Sequence, residues 1–180
     1  MSRIAASKVF FVLGIFLFIV FLYILFQRIN PWGLESGFDK YTYLQAASHK
    51  IIPSKLAIES LSIDLPVIES KIANGKFETT KKGVSYLSSS AMPGEMGNAI
   101  FYGHNWPNIL GKLDSVRVGD VIRIVMNDEK YFDYKIEYTA KVSSDEVHIL
   151  NQTEDSRITI YTCAGFFDTK RFVAVGSLIK

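Results

Sequence analysis

From Val9 to Phe26 the chain reads VFFVLGIFLFIVFLYILF, 18 residues with no charge, no proline and one glycine. Apolarity on every side with charge only at the ends is the pattern of a membrane helix, not of a helix buried in a soluble core. At about 1.5 Å per residue the run reaches roughly 27 Å, and its flanks complete a hydrocarbon core about 30 Å thick. A cleaved signal would have a shorter apolar region followed by small residues. The exit here is Gln27-Arg28-Ile29-Asn30-Pro31-Trp32, which favours a retained anchor over residues 9–28.

Residues 29–50, with Pro31, Gly33, Gly37 and a polar, aromatic mixture, read as a stalk or linker carrying a short helix. From Ile51 the pattern becomes short apolar runs separated by turn residues. The candidate strands are Lys55–Ile58, Leu65–Ile68, Val84–Tyr86, Ala99–Tyr102, Val121–Met126, Tyr131–Val142, Ile158–Thr162 and Phe172–Leu178. Between them stand Asn74-Gly75, Pro93-Gly94, Gly119-Asp120 and Asn127-Asp128. This spacing predicts a mostly β domain over residues 51–180, a sandwich or closed barrel, with helix confined to one or two turns within Asn108–Val116.

The charge balance gains meaning once it is divided along the chain. Lys and Arg number 20 against 18 Asp and Glu, but Arg3, Lys8 and Arg28 flank the apolar run and no acidic residue lies before residue 29. Residues 29–180 then hold 17 basic against 18 acidic side chains, which leaves no basic stripe for phosphates and excludes a nucleic-acid partner. Arg3, Lys8 and the terminal amine outweigh Arg28, so the positive-inside rule puts residues 1–8 in the cytoplasm and the folded domain outside it. The single cysteine, Cys163, excludes an internal disulfide framework and any multi-cysteine zinc site.

Few residues can carry chemistry. His104 follows the run Ala99–Gly103, and Cys163 ends the run Arg157–Thr162; both sit at strand ends near glycines, where a side chain can project into a cleft from a fixed backbone. A thiol nucleophile and an imidazole are the pair a Cys–His enzyme requires. Arg171 opens the last strand eight residues after Cys163 and is the best donor for a developing oxyanion. On spacing alone the plainer readings stay open: a buried apolar cysteine, a turn histidine, a strand-edge arginine. His49 and His148 read as bystanders.

Taken in order, several stretches resemble the sortases, membrane-anchored cysteine transpeptidases of bacterial surfaces. They are Leu61-Ser62-Ile63-Asp64-Leu65-Pro66-Val67-Ile68, Ala91–His104 with Gly103-His104 at its end, Leu113–Ile122, and Thr159-Ile160-Tyr161-Thr162-Cys163 followed by Arg171 and an apolar strand. The resemblance covers roughly residues 51–179 and includes the N-terminal anchor. It implies a closed eight-stranded β-barrel with an active-site groove at one end. Cys163 would attack a sorting-signal peptide bond of Leu-Pro-X-Thr-Gly type and form a thioacyl enzyme. His104 would protonate the departing amine, and Arg171 would steady the oxyanion. The acyl group would pass to an amine of a cell-wall precursor or pilin. Substrate contacts are expected at Thr162, at Ala164 through its backbone N–H, and at Trp106, which either walls the groove or caps the barrel, the cap being favoured. No cofactor is needed; some sortases bind calcium through acidic residues near the substrate loop, and the sequence does not support mapping such a site onto Glu69, Asp145 or Glu146. Ile160 stands where the family usually has Leu, a volume-conserving change. Only seven residues separate Cys163 from Arg171, which favours a housekeeping or short-loop type.

The competing classes fit less well. A papain-like amidase places its nucleophile at the start of a helix and ahead of its histidine, and an L,D-transpeptidase carries Ser-His-Gly-x-Cys; neither pattern occurs here. A Cys–His envelope peptidase acting by hydrolysis is the nearest alternative. A non-catalytic surface-binding domain would need all three residues to have met by chance.

Overall fold

The computed structural model describes residues 13–25, 50–73, 76–165 and 168–180. The chain divides into two compact units, residues 1–47 and 48–180. In the first, residues 13–25 form a helix with exposed apolar side chains. Thirteen residues reach only about 20 Å, and no helix among the described residues is long and apolar enough to cross a membrane. The remainder of the expected span, 9–12 and 26–28, lies outside the described residues, as do His49 and nearly all of the stalk.

The second unit is a closed eight-stranded barrel with a two-stranded hairpin outside it. Its strands are β1 (Pro53–Ile58), β2 (Ile63–Ser70), β5 (Val84–Leu87), β6 (Gly97–Gly103), β7 (Val121–Met126), β8 (Tyr131–Ser143), β9 (Ser156–Ala164) and β10 (Lys170–Leu178). The hairpin is β3 (Ile72–Ala73) with β4 (Lys76–Phe77). Around the barrel the order is β1-β2-β5-β6-β9-β10-β8-β7, and β7 closes onto β1. Two neighbour pairs, β2 with β5 and β6 with β9, are parallel. Parallel pairing requires long connections: residues 71–83 join β2 to β5, and residues 104–155, which include β7 and β8 of the wall itself, join β6 to β9 and return to it through residues 144–155.

This topology explains why the strands differ in pattern. β1 and β7 alternate buried and exposed residues, since one face meets the core and the other meets water. β5 and β6 are buried on both faces. The inner face carries the core of Leu56, Val84, Tyr86, Phe101, Ile122, Ile124, Ile160 and their neighbours. The outer face carries Leu87, Ile100 and Tyr102, covered by Phe77, Leu150 and Tyr161. Strands covered by crossovers on their outer side read as continuous apolar runs.

Each crossover is pinned where it passes over the wall. Phe77 sets its edge against Tyr102, with centroids 5.3 Å apart, and the Tyr102 hydroxyl donates to the Glu78 carbonyl at 2.7 Å. On the other side the buried Asn98 amide donates to the Ile149 and Asn151 carbonyls, and its oxygen accepts from the Thr159 hydroxyl at 2.8 Å. Every polar atom of that amide side chain is thereby satisfied, as burial demands.

The expected helix within Asn108–Val116 is instead a series of turns with one 3-10 turn, Leu113–Ser115. The Trp106 carbonyl accepts from Ile109 N, three residues on, and from Gly111 N, five residues on, and neither bond has the four-residue spacing of an α-helix. Its buried residues, Ile109, Leu110, Leu113 and Val116, pack into the barrel core.

Candidate active site

The register of the wall puts three chemistry-bearing residues in one row. Across the antiparallel β9–β10 pair, Arg171 lies directly opposite Cys163. Across the parallel β6–β9 pair, Gly103 lies opposite Thr162, so His104, the next residue, emerges beside Cys163. Alternation puts all three on the outer face: His104 follows Ile100 and Tyr102, Cys163 follows Tyr161, and Arg171 precedes Val173. The adjoining row is Tyr102, Tyr161 and Val173, with the two phenol rings stacked at 5.4 Å and 14°. Those rings form an apolar floor beside the row of His104, Cys163 and Arg171.

Cys163 is a free, half-buried thiol. Burial pushes its pKa up, the Arg171 guanidinium pulls it down, and Asp168 pushes it up again. Burial lowers the His104 pKa, Lys81 lowers it further, and Asp168 raises it. Both groups are therefore mainly uncharged near neutral pH. A thiolate–imidazolium pair is then a minority species, and its share stays constant between the two pKa values. Arg171 donates through Nη1 to the Asp168 and Lys170 carbonyls at 2.7 and 2.8 Å, which fixes the guanidinium against the β9–β10 connection.

Trp106 is placed by two contacts. It packs against the main core, as a cap would, and its ring lies parallel to His104, with centroids 4.1 Å apart and planes 9° apart. Thr162 and Ala164 turn their side chains inward. They stand on the face opposite Cys163, buried beside Ile160. The Thr162 hydroxyl donates to the Gly103 carbonyl at 2.8 Å, and Ala164 joins the core. In a strand, residues next to the nucleophile turn their side chains to the opposite face, which leaves the Ala164 backbone N–H as the group beside Cys163. Thr162 instead ties the cysteine strand to the histidine strand one residue before each reacting group.

Asp168 and Lys81 are groups that the sequence reading missed. Asp168 has φ 57°, the left-handed conformation that aspartate tolerates in a tight connection. Asp168-Thr169-Lys170 carried that turn signal, whereas nothing local marks Lys81, which a crossover delivers. His148 lies outside this row, exposed and 3.7 Å from Glu146. Among the described residues no group of three or more His, Cys, Asp or Glu side chains comes together as a metal centre.

Comparison with known proteins agrees with the barrel fold. Residues 56–179 match the family model of the sortase domain. Sortase A of Listeria monocytogenes is 30% identical over 135 residues, covering 72% of this chain and 57% of that protein. Sortase A of Bacillus anthracis is 25% identical over 134 residues, covering 72% and 61%. The chain thus spans under two thirds of the length of these relatives. The crystal structure of Listeria monocytogenes sortase A superimposes with a TM-score of 0.60 at 28% identity, covering 72% of this chain and 88% of that one. With the barrel, the ordered motifs and the family match in agreement, the chain belongs to the sortase family.

Proposed function

We propose that this protein is a cysteine transpeptidase that cleaves a sorting signal and transfers the acyl part to an amine. The observation that carries the reading is the row His104, Cys163, Arg171, in which Arg171 faces Cys163 in the ladder and His104 emerges beside it. The Cys163 thiolate attacks the carbonyl carbon of the scissile peptide bond. Arg171, together with the backbone N–H of Ala164, meets the developing oxyanion. The tetrahedral adduct collapses to a thioester as the C–N bond breaks, and the departing amine takes its proton from the His104 imidazolium. An incoming amine then gives a proton to His104 and attacks the thioester, which releases the Cys163 thiolate and forms a new amide. Thiol, imidazole and guanidinium suffice for these steps without a cofactor.

The substrate we assign is a Leu-Pro-X-Thr-Gly-type signal of a surface protein, cut between Thr and Gly. The acceptor is an amine of a cell-wall precursor or pilin. Residues 9–28 anchor the chain in the membrane, with residues 1–8 in the cytoplasm and the catalytic unit outside. The apolar run and its flanking charges support that topology.

The test uses the full chain in detergent with a fluorogenic signal peptide and an added primary amine. We expect cleavage at the Thr–Gly bond, an amide product that grows with amine concentration, and loss of both in Cys163→Ala at an unchanged melting temperature. Cleavage that yields only free acid at every amine concentration would make the protein a hydrolase. Turnover by Cys163→Ala would remove the nucleophile assignment.

A further inference from the structure

We infer that Trp106 is a positioning residue for His104, holding the imidazole plane through a face-to-face stack that is itself anchored in the barrel core. This deepens the assignment of His104 as proton carrier and rests on it. The catalytic histidine lies one residue beyond the last ladder position of β6, so the strand fixes its backbone on one side only. Its ring meets the Trp106 indole at 4.1 Å and 9°, which restricts the second side-chain torsion while leaving the ring edge, with both nitrogens, facing away from the stack.

The indole is held in turn. The Trp106 carbonyl accepts from Ile109 N at 2.9 Å and Gly111 N at 2.8 Å, and the His104 carbonyl accepts from Leu110 N at 3.1 Å. Ile109 and Leu110 are buried in the core. A β-carbon at Gly111 would come within 2.6 Å of the Trp106 carbonyl oxygen, so only glycine permits this closure. A similar carbon at Gly103 would press on Ile109 and Leu110 at 3.1 and 3.2 Å. Restraint therefore passes from core to turn, from turn to indole, and from indole to imidazole. An aromatic face also favours the imidazolium, the form that must protonate the leaving amine, against the burial that disfavours it. The charged groups that act on the ring are Lys81 ahead of β5 and Asp168 in the β9–β10 connection, and Asp168 and Arg171 act on the neighbouring Cys163.

The experiment compares Trp106→Leu, which keeps apolar bulk and loses the flat face, with Trp106→Phe, which keeps a flat face. Both are made in the full chain and checked for an unchanged melting temperature. We expect Trp106→Leu to lower kcat about tenfold or more with KM nearly unchanged, the pattern of a misplaced acid, and Trp106→Phe to recover most of it. An independent readout needs no turnover. In a Trp32→Phe background Trp106 is the remaining indole, and its emission should fall as His104 gains a proton, because an imidazolium in contact quenches indole. Emission should stay flat over that range in His104→Gln. A Trp106→Leu enzyme with full kcat, a change in KM alone, or emission indifferent to His104 would overturn the inference. If Trp106→Leu does not fold, Trp106→Phe and the emission titration still decide. If the wild type turns over no signal peptide, the transpeptidase reading fails while the emission titration still decides the contact. If His104→Ala is inactive and Trp106→Leu fully active, only this inference fails.

Discussion

Thr162→Val isolates the tie between the nucleophile strand and the histidine strand. Valine keeps the side-chain shape and removes the hydroxyl, whose hydrogen bond to the Gly103 carbonyl is 2.8 Å long and buried. Leaving a buried carbonyl without that donor costs about 1–3 kcal/mol. For a folded unit of about 130 residues, an unfolding entropy near 2.1 cal/mol/K per residue turns this into a melting-temperature drop of about 4–11 °C. The catalytic effect follows from geometry. Gly103 and Thr162 immediately precede His104 and Cys163, so slackening their contact changes the separation of the reacting groups, and an error of about 1 Å can cost roughly 100-fold in rate. Thermal unfolding followed by circular dichroism gives the first quantity, and turnover of a fluorogenic peptide well below the transition gives the second. The account expects a lower melting temperature and a lower kcat with KM nearly unchanged. An unchanged melting temperature with a raised KM would show that the hydroxyl touches substrate and would refute the structural role.

The remaining predictions concern charge. Arg171→Lys keeps the positive charge but loses the planar fork, and kcat/KM should fall at least about 100-fold, the loss typical of an oxyanion donor, with stability unchanged; a near-normal rate would make Arg171 a strand-edge charge. With the His104 pKa below 6.5 and the Cys163 pKa above 9.0, kcat/KM should rise through the first and fall through the second. Asp168 raises both values, so Asp168→Asn should move both limbs to lower pH. Lys81 lowers only the histidine value, so Lys81→Gln should move the rising limb to higher pH and leave the other in place. Limbs that ignore both substitutions would contradict the assigned surroundings of the pair.

The candidate pair was legible because its chemistry is rare in this chain and the motifs occur in order. With one cysteine and three histidines, strand-end placement next to glycine narrowed the choice to Cys163 and His104. Their contact was not legible, because it depends on parallel pairing of β6 with β9, and nothing local in either strand records which partner it takes. The same pairing extends β9 to Ser156 and Arg157 through the backbones of Gly97 and Asn98, although those side chains are polar and fell outside the expected strand. The hairpin β3–β4 escaped notice for a related reason: two-residue strands have no period, and only Phe77 seated on Tyr102 and Tyr161 gives them a purpose. The inward side chains of Thr162 and Ala164 were legible from Cys163 by alternation alone. For Trp106, core packing agrees with the favoured cap, while the stack on His104 depends on a turn whose hydrogen bonds converge on one carbonyl.

Trapping the acyl enzyme tests the central claim most directly. The full chain is incubated with a Leu-Pro-X-Thr-Gly-type peptide without added amine, quenched in acid and examined by intact and peptide-level mass spectrometry. The account predicts an added mass equal to the peptide through its threonine, located on Cys163, discharged by hydroxylamine and absent in Cys163→Ala. Cleaved peptide that accumulates without any adduct, or an adduct that persists in Cys163→Ala, would contradict it.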